Sequence, residues 1–190
     1  MKKIILATSL LVASQAWAAT ETYDIDAKHS FANFSIRHVV SKTSGTFNDV
    51  TSVITLDRAN LNTASVRATI NVSSVNTGFG KRDEHIKADK YLDVAKYTQI
   101  QFESIKVTAS SQTQGVMQGK LTMHGVTKLV DIPIRVLGYG ADPWGGQRAG
   151  FEGHITLKAS DYGFGWATGV NAPVGDDIEV TLLIEGVKAK

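Results

Sequence analysis

The chain has 190 residues, with 20 Lys and Arg against 18 Asp and Glu, five His and no Cys. The lack of cysteine excludes a disulfide framework and thiolate metal sites, so stability has to come from a packed interior, which this length can supply as one ordinary domain. The formal charge of +2 resides in Lys2 and Lys3; the remainder is neutral and has no basic stretch interleaved with aromatics, which argues against nucleic acid as a partner.

Lys2 and Lys3 open a three-part pattern. An apolar run from Ile4 to Val12 follows, and then small residues ending Ala16-Trp17-Ala18. These are the parts of a secretory leader. Cleavage is expected after Ala18, giving an exported domain over residues 19–190 and a periplasmic location. The run is about half the roughly 20 apolar residues that a spanning helix requires, so no membrane span is expected. No Ser/Pro/Gly-rich linker divides the rest, and no repeat with a period of roughly 20 to 50 residues is present.

Most of the mature sequence alternates apolar and polar residues, the period of a strand with one buried face. Phe34, Ile36 and His38 share one face of the first long strand. In the next, Phe47 falls on one face while Val50, Ile54 and Leu56 fall on the other, and that change of parity predicts a bulge or a break. Val66, Ala68, Ile70 and Val72 then alternate with Arg67, Thr69, Asn71 and Ser73. Ile100 and Phe102 lead into a strand through Val107, followed by Met117, Gly119, Leu121 and Met123. Ile132, Ile134 and Val136 come next, then Phe151, Ile155 and Leu157, and finally Ile178, Val180, Leu182 and Ile184. Turn-rich segments, Gly138 to Gly150 and Gly169 to Asp177, join the later strands. About eight strands paired in sequence order predict an all-β antiparallel barrel, because closure removes exposed edges.

Arg82 to Leu92 breaks the alternation. Its acids come first and its lysines later, the order the helix dipole favours, and Asp83 can reach Lys87 one turn on. A short helix over 82–92, capping one end of the barrel, is predicted.

Several phrases occur in a familiar order. Tyr23-Asp24-Ile25-Asp26 is followed by His29-Ser30, Phe34, Ile36 and His38, then by Gly45 and Phe47. Ser74-Val75-Asn76-Thr77-Gly78, Arg82-Asp83-Glu84-His85, Tyr91-Leu92-Asp93 and Phe102-Glu103-Ser104 form the middle. Gly119 to Thr127, Asp161-Tyr162-Gly163 and Val174 to Ile184 complete the set. Together, from Tyr23 to about Gly186, they resemble the YceI-like family of exported polyisoprenoid-binding proteins with a lipocalin-like barrel. Two positions depart from its pattern: Thr98 follows Tyr97 where the family usually has proline, and Lys158 stands where arginine is common. They bear on a turn and on a headgroup contact, not on the fold.

The resemblance implies an apolar barrel tunnel that holds an isoprenoid chain, such as a quinone tail or a prenyl phosphate, with no other cofactor. The tunnel residues it implies are Phe34, Ile36, Phe47, Ile54, Ile70, Phe79, Phe102, Met117, Leu121, Met123, Phe151, Phe164 and Trp166. His38, Arg82, Asp83 and His85 are the expected mouth or headgroup residues. A homodimer through a barrel face is compatible with the family.

The residues themselves leave alternatives open. Arg82, Asp83 and His85 read equally as a helix-start ion pair, with Asp83 serving free backbone N–H groups. The same aromatic and methionine positions read as ordinary core, unless the small Ala32, Ala68, Gly119 and Gly153 leave a void among them. None of the five histidines stands in a metal motif such as H-E-x-x-H, and no metal site is expected. No nucleophile-and-base motif, P-loop or dinucleotide fingerprint occurs, so no catalytic residue is assigned. The expected function is non-enzymatic binding of a long isoprenoid for sequestration or transport. A hydrolase or isomerase of amphiphiles using Asp83 and His85, and a filled-barrel interaction protein, are the competing readings.

Overall fold

The computed structural model describes residues 20–167 and 171–190. The expected leader and the first residues of the Gly169 to Asp177 segment lie outside them. The strands are β1 (Glu21–Ile25), β2 (Phe31–His38), β3 (Ser41–Phe47), β4 (Val50–Asp57), β5 (Asn60–Asn71), β6 (Val75–Asn76), β7 (Gln99–Ala109), β8 (Gln114–Met123), β9 (Val126–Ala141), β10 (Gln147–Lys158) and β11 (Val174–Lys188). Helix α1 (Gly80–Lys87) stands between β6 and β7.

The strands occupy eight slots, because the first three slots are each made of a broken strand. β11 pairs with β2 over Val174 to Leu183 and with β1 over Gly186 to Lys188, so β1 and β2 share one slot. β3 and β4 share the second, facing β2 and β1 respectively, and β5 and β6 share the third. β7 to β11 follow in order, each antiparallel to its neighbour, and the β1–β11 pairing closes the ring. This is the closed, eight-stranded barrel that the alternation predicted, in the lipocalin-like form that the resemblance implied.

Serine side chains carry the ladder across the breaks. Where β1 gives way to β2, buried Ser30 receives the Glu185 N–H at 3.0 Å and donates its hydroxyl to the Glu185 carbonyl at 3.2 Å. Where β3 gives way to β4, Ser74 accepts the Asp49 N–H on its hydroxyl at 3.1 Å and the Asn48 N–H on its carbonyl at 3.2 Å. The backbone groups at the breaks thus keep partners although the pleat is interrupted. The second break falls between Phe47 and Val50, where the parity changes.

Two expectations about element ends need correction. Only Asp142 to Gly146 separates β9 from β10, so most of the Gly138 to Gly150 segment is strand. Gly138, at φ 155°, sits beside a register shift at Gly150/Phe151, and glycine tolerates such a bulge where a side chain would not. The helix begins at Gly80 and ends at Lys87, because Ala88 is extended, and residues 88–97 continue as turns. Asp83 does not bond Lys87, whose ammonium pairs with Glu84 at 3.1 Å.

The interior packs as two separate groups. One holds Tyr23, Leu56, Leu61, Val107, Met117 and Val136 near the β4–β5 and β7–β8 turns. The other holds Val72, Ile100, Met123, Leu157, Tyr162 and Phe164 at the α1 end. Beneath the first group, Glu21 accepts hydrogen bonds from Tyr23 (2.5 Å), Arg58 (2.5 Å) and Lys188 (2.6 Å), and the Arg58 guanidinium lies 4.3 Å from the Tyr139 ring centroid. This cluster forms the floor. Among the described residues no helix is long and apolar enough to cross a membrane.

Candidate functional site

Between the two packed groups lies a cavity of about 550 Å³. That volume belongs to the range of small-molecule sites and removes the filled-barrel reading. Alternation along the strands explains the lining: β2 contributes Phe34 and Ile36, β3 Phe47, β4 Ile54, β5 Ile70, β7 Phe102, β8 Met117, Leu121 and Met123, and β10 Phe151. Phe164 and Trp166, from the segment after β10, line it at the α1 end.

The void survives because large rings lie against the wall. A side chain at Gly45 would place its Cβ 2.5 Å from the Phe34 ring, and one at Gly119 would come within 2.4 Å of the Phe102 ring. Each glycine is the socket for a cross-strand ring, so Gly119 does not itself open space, as its small size suggested. Ala32, Ala68 and Gly153 do line the cavity.

At the α1 end the lining includes His38, Thr77, Arg82, His85 and Tyr91. Arg82 donates to the Thr77 hydroxyl and to its carbonyl, both at 2.8 Å. His85 Nε2 shares a 2.9 Å hydrogen bond with the Tyr91 hydroxyl. Rings then run across this end: Tyr97, His124, Phe164, Trp166, Tyr91 and His85, with successive centroids 4.2, 4.5, 4.4, 5.9 and 4.6 Å apart. His124 is held by the two-residue turn between β8 and β9, where both His124 (φ 51°) and Gly125 (φ 75°) are left-handed, as a tight hairpin of this twist requires.

Two of the expected site residues lie elsewhere. Phe79 is more than half exposed at the start of α1, with its ring 5.9 Å from the Arg82 guanidinium and outside the cavity lining. Helix entry at Gly80, two residues earlier than the sequence suggested, turns it outward. Asp83 is also absent from the lining: its carboxylate accepts the Thr77 N–H at 2.8 Å and the Thr77 hydroxyl at 2.5 Å. Those bonds hold its pKa below the usual carboxylate range. Asp83 bonds Thr77 and His85 bonds Tyr91, so they form no bonded acid–base pair, and the competing enzymatic reading loses its geometry.

Sequence reasoning missed Tyr91 and Ile86 as lining residues, together with Ile178, Val180 and Leu182 of β11. The last three carried a signal, since they share the inward parity of a strand already recognised. Lys158 pairs with Asp177 at 2.9 Å and is absent from the lining, so replacement of the common arginine there does not touch the cavity. The Thr98 carbonyl accepts the Val72 N–H at 3.0 Å, a bond a proline could equally receive.

Among the described residues, Asp26, His29 and Glu185 are grouped closely enough to hold a metal ion. Arg148 already occupies that position, bonding Asp26 at 2.7 Å and also Glu185, with Asp142 at 2.9 Å. The Arg148 bond, followed by the 2.9 Å bond with His29, holds the Asp26 pKa well below its usual range. The group ties the β1–β2 break to β10 and β11.

A closed eight-stranded antiparallel barrel around an apolar cavity is the lipocalin-like architecture. The chain belongs to the YceI-like domain family, whose model matches residues 23–186. A UPF0312 protein of Pseudomonas paraeruginosa is 39% identical over 186 residues, covering 97% of this chain and 95% of that protein. The YceI protein of Campylobacter jejuni superposes with a TM-score of 0.73 at 28% identity, over 80% of this chain and 88% of that one. A structure described as a polyisoprenoid binding domain from Saccharophagus degradans, implicated in plant cell wall breakdown, superposes with a TM-score of 0.66 at 19% identity, over 88% of this chain and 98% of that one. The last likeness is one of fold.

Proposed function

We propose that this protein binds a long isoprenoid, such as a quinone, by taking the chain into the barrel, and that it sequesters or transports it in the periplasm without catalysis. The observation that carries the reading is the apolar cavity of about 550 Å³ between the two packed groups. A buried methylene is worth roughly 0.8 kcal/mol, so ten buried carbons contribute about 8 kcal/mol. Lost freedom on association takes back several of these. The polar end needs little of the affinity. The binding described for the S. degradans domain and the leader-like pattern at residues 1–18 support the ligand class and the location, respectively.

The test is native mass spectrometry of the protein purified from the periplasm of its own organism, with solvent extraction of what co-purifies. An isoprenoid adduct is expected. Empty protein that also takes up no prenylated quinone in vitro would overturn the reading.

A further inference from the structure

Trp166 stands in the run of rings at the α1 end, stacked on Phe164 at 4.4 Å and 25° and tilted against Tyr91 at 5.9 Å. It also lines the cavity. Other members of the run each have a polar atom engaged: His85 Nε2 with the Tyr91 hydroxyl at 2.9 Å, and His124 Nδ1 with the Tyr162 carbonyl at 3.1 Å. Trp166 differs. Among the described residues, its Nε1–H is the one buried side-chain nitrogen or oxygen without a hydrogen-bond partner. An indole N–H can only donate, and a donor kept from water is almost always matched by an acceptor. Trp166 lines the cavity, so a bound molecule there is the available source of an acceptor.

We propose that the Trp166 Nε1–H holds the polar end of the bound chain, and that its acceptor is an uncharged carbonyl oxygen, as on a quinone ring. The inference rests on the isoprenoid reading above and adds the class of head and the residue that selects it. A phosphate would need several donors and a committed cation when taken out of water. The cation lining this end, Arg82, already donates from Nε and Nη2 to Thr77, so of its nitrogens only Nη1 is wholly uncommitted. One neutral donor suits one carbonyl. A flat conjugated ring could also join the existing run, since offset and tilted aromatic contacts at these separations are attractive.

The test compares the parent with Trp166→Phe, which keeps an aromatic ring but removes the N–H, by calorimetric titration with three probes. These are a long-chain prenylated benzoquinone, the headless hydrocarbon squalene, and a polyprenyl phosphate. The quinone is expected to bind the variant about tenfold more weakly, the size of one lost hydrogen bond. Squalene should bind both proteins alike. In the leaderless parent, labelled at the indole nitrogens, the Trp166 N–H resonance, assigned as the one that Trp144→Phe at the exposed β9–β10 turn leaves in place, should move downfield with the quinone and not with squalene. This measurement holds even if Trp166→Phe folds poorly. Equal quinone affinity for both proteins with an unmoved resonance overturns the inference and leaves the isoprenoid reading standing. Tighter binding of the polyprenyl phosphate than of the quinone overturns the choice of a neutral head. Failure of all three probes to bind the parent overturns the isoprenoid reading itself.

Discussion

Gly119→Ala tests whether the cavity depends on rings held against the wall. Gly119 is buried in β8, and an added Cβ would lie 2.4 and 2.5 Å from two atoms of the Phe102 ring and 2.7 Å from the Glu103 carbonyl oxygen. The ring can swing away, but only into the cavity. The carbonyl belongs to the β7 backbone and has little freedom. Overpacking of this kind costs about 1–3 kcal/mol. For a domain of this size, about 2 kcal/mol lowers Tm by about 4–8 °C. Urea and thermal unfolding followed by circular dichroism would measure the loss. Phe102→Leu, a shorter side chain, should relieve part of the clash, so the double variant should be about 1 kcal/mol more stable than the two single changes predict by addition. A Gly119→Ala protein within about 0.5 kcal/mol of the parent, or strict additivity, would refute the reasoning.

Further outcomes follow from other parts of the barrel. Burial raises the Glu21 pKa, but the bonds from Lys188, Tyr23 and Arg58 outweigh it and bring the value down from 4.5 to about 2. The folded value lies below the unfolded one, so this stabilisation is complete above about pH 5 and is lost as the pH falls towards 2, by about 3 kcal/mol in all. Glu21→Gln should therefore flatten the acid side of the urea-midpoint profile, and an unchanged slope between pH 5 and pH 2 would contradict the floor cluster. Ala68→Phe places a ring in the cavity. It should abolish the isoprenoid adduct in native mass spectra while destabilising by no more than the about 1–3 kcal/mol of a small-to-large change; a retained adduct counts against this cavity as the site. Stripping the ligand from protein held at a hundred times its Kd should lower Tm by about 5–10 °C, measured by scanning calorimetry, and an unchanged Tm would mean that the ligand does not favour the folded state.

The period of two along the chain made the eight slots legible, and the parity change after Phe47 located a break that the structure places at residues 48 and 49. These readings succeed because a strand with one buried face records its orientation in every second residue. The ends of β9 and β10 were hidden, since Gly138, Gly140 and Gly150 resemble turn residues whether they form a loop or a bulged ladder. The cavity was only half legible. Sequence shows which residues face inward, but not that Phe102 folds back over Gly119, a contact between different strands. The run of rings was still less visible, because it joins His85 and Tyr91 to His124 and Trp166 across three connections. Phe79 and Asp83 misled for local reasons: Phe79 immediately precedes a helix that starts two residues earlier than expected, and the Asp83 carboxylate is taken by Thr77.

The separation of the packed side chains into two groups has a mechanical consequence. Across the waist the upper and lower parts of the barrel communicate through the backbone ladder, with little side-chain packing to link them. A bound chain of the cavity's length would touch both groups at once and act as a replaceable section of the core. Without it, the α1 end can loosen while the floor stays intact, and amide exchange would report two levels of protection. With it, the two levels should merge. A barrel built this way is stiff when filled and softer at its mouth when empty, the mechanical state in which a chain would have to enter.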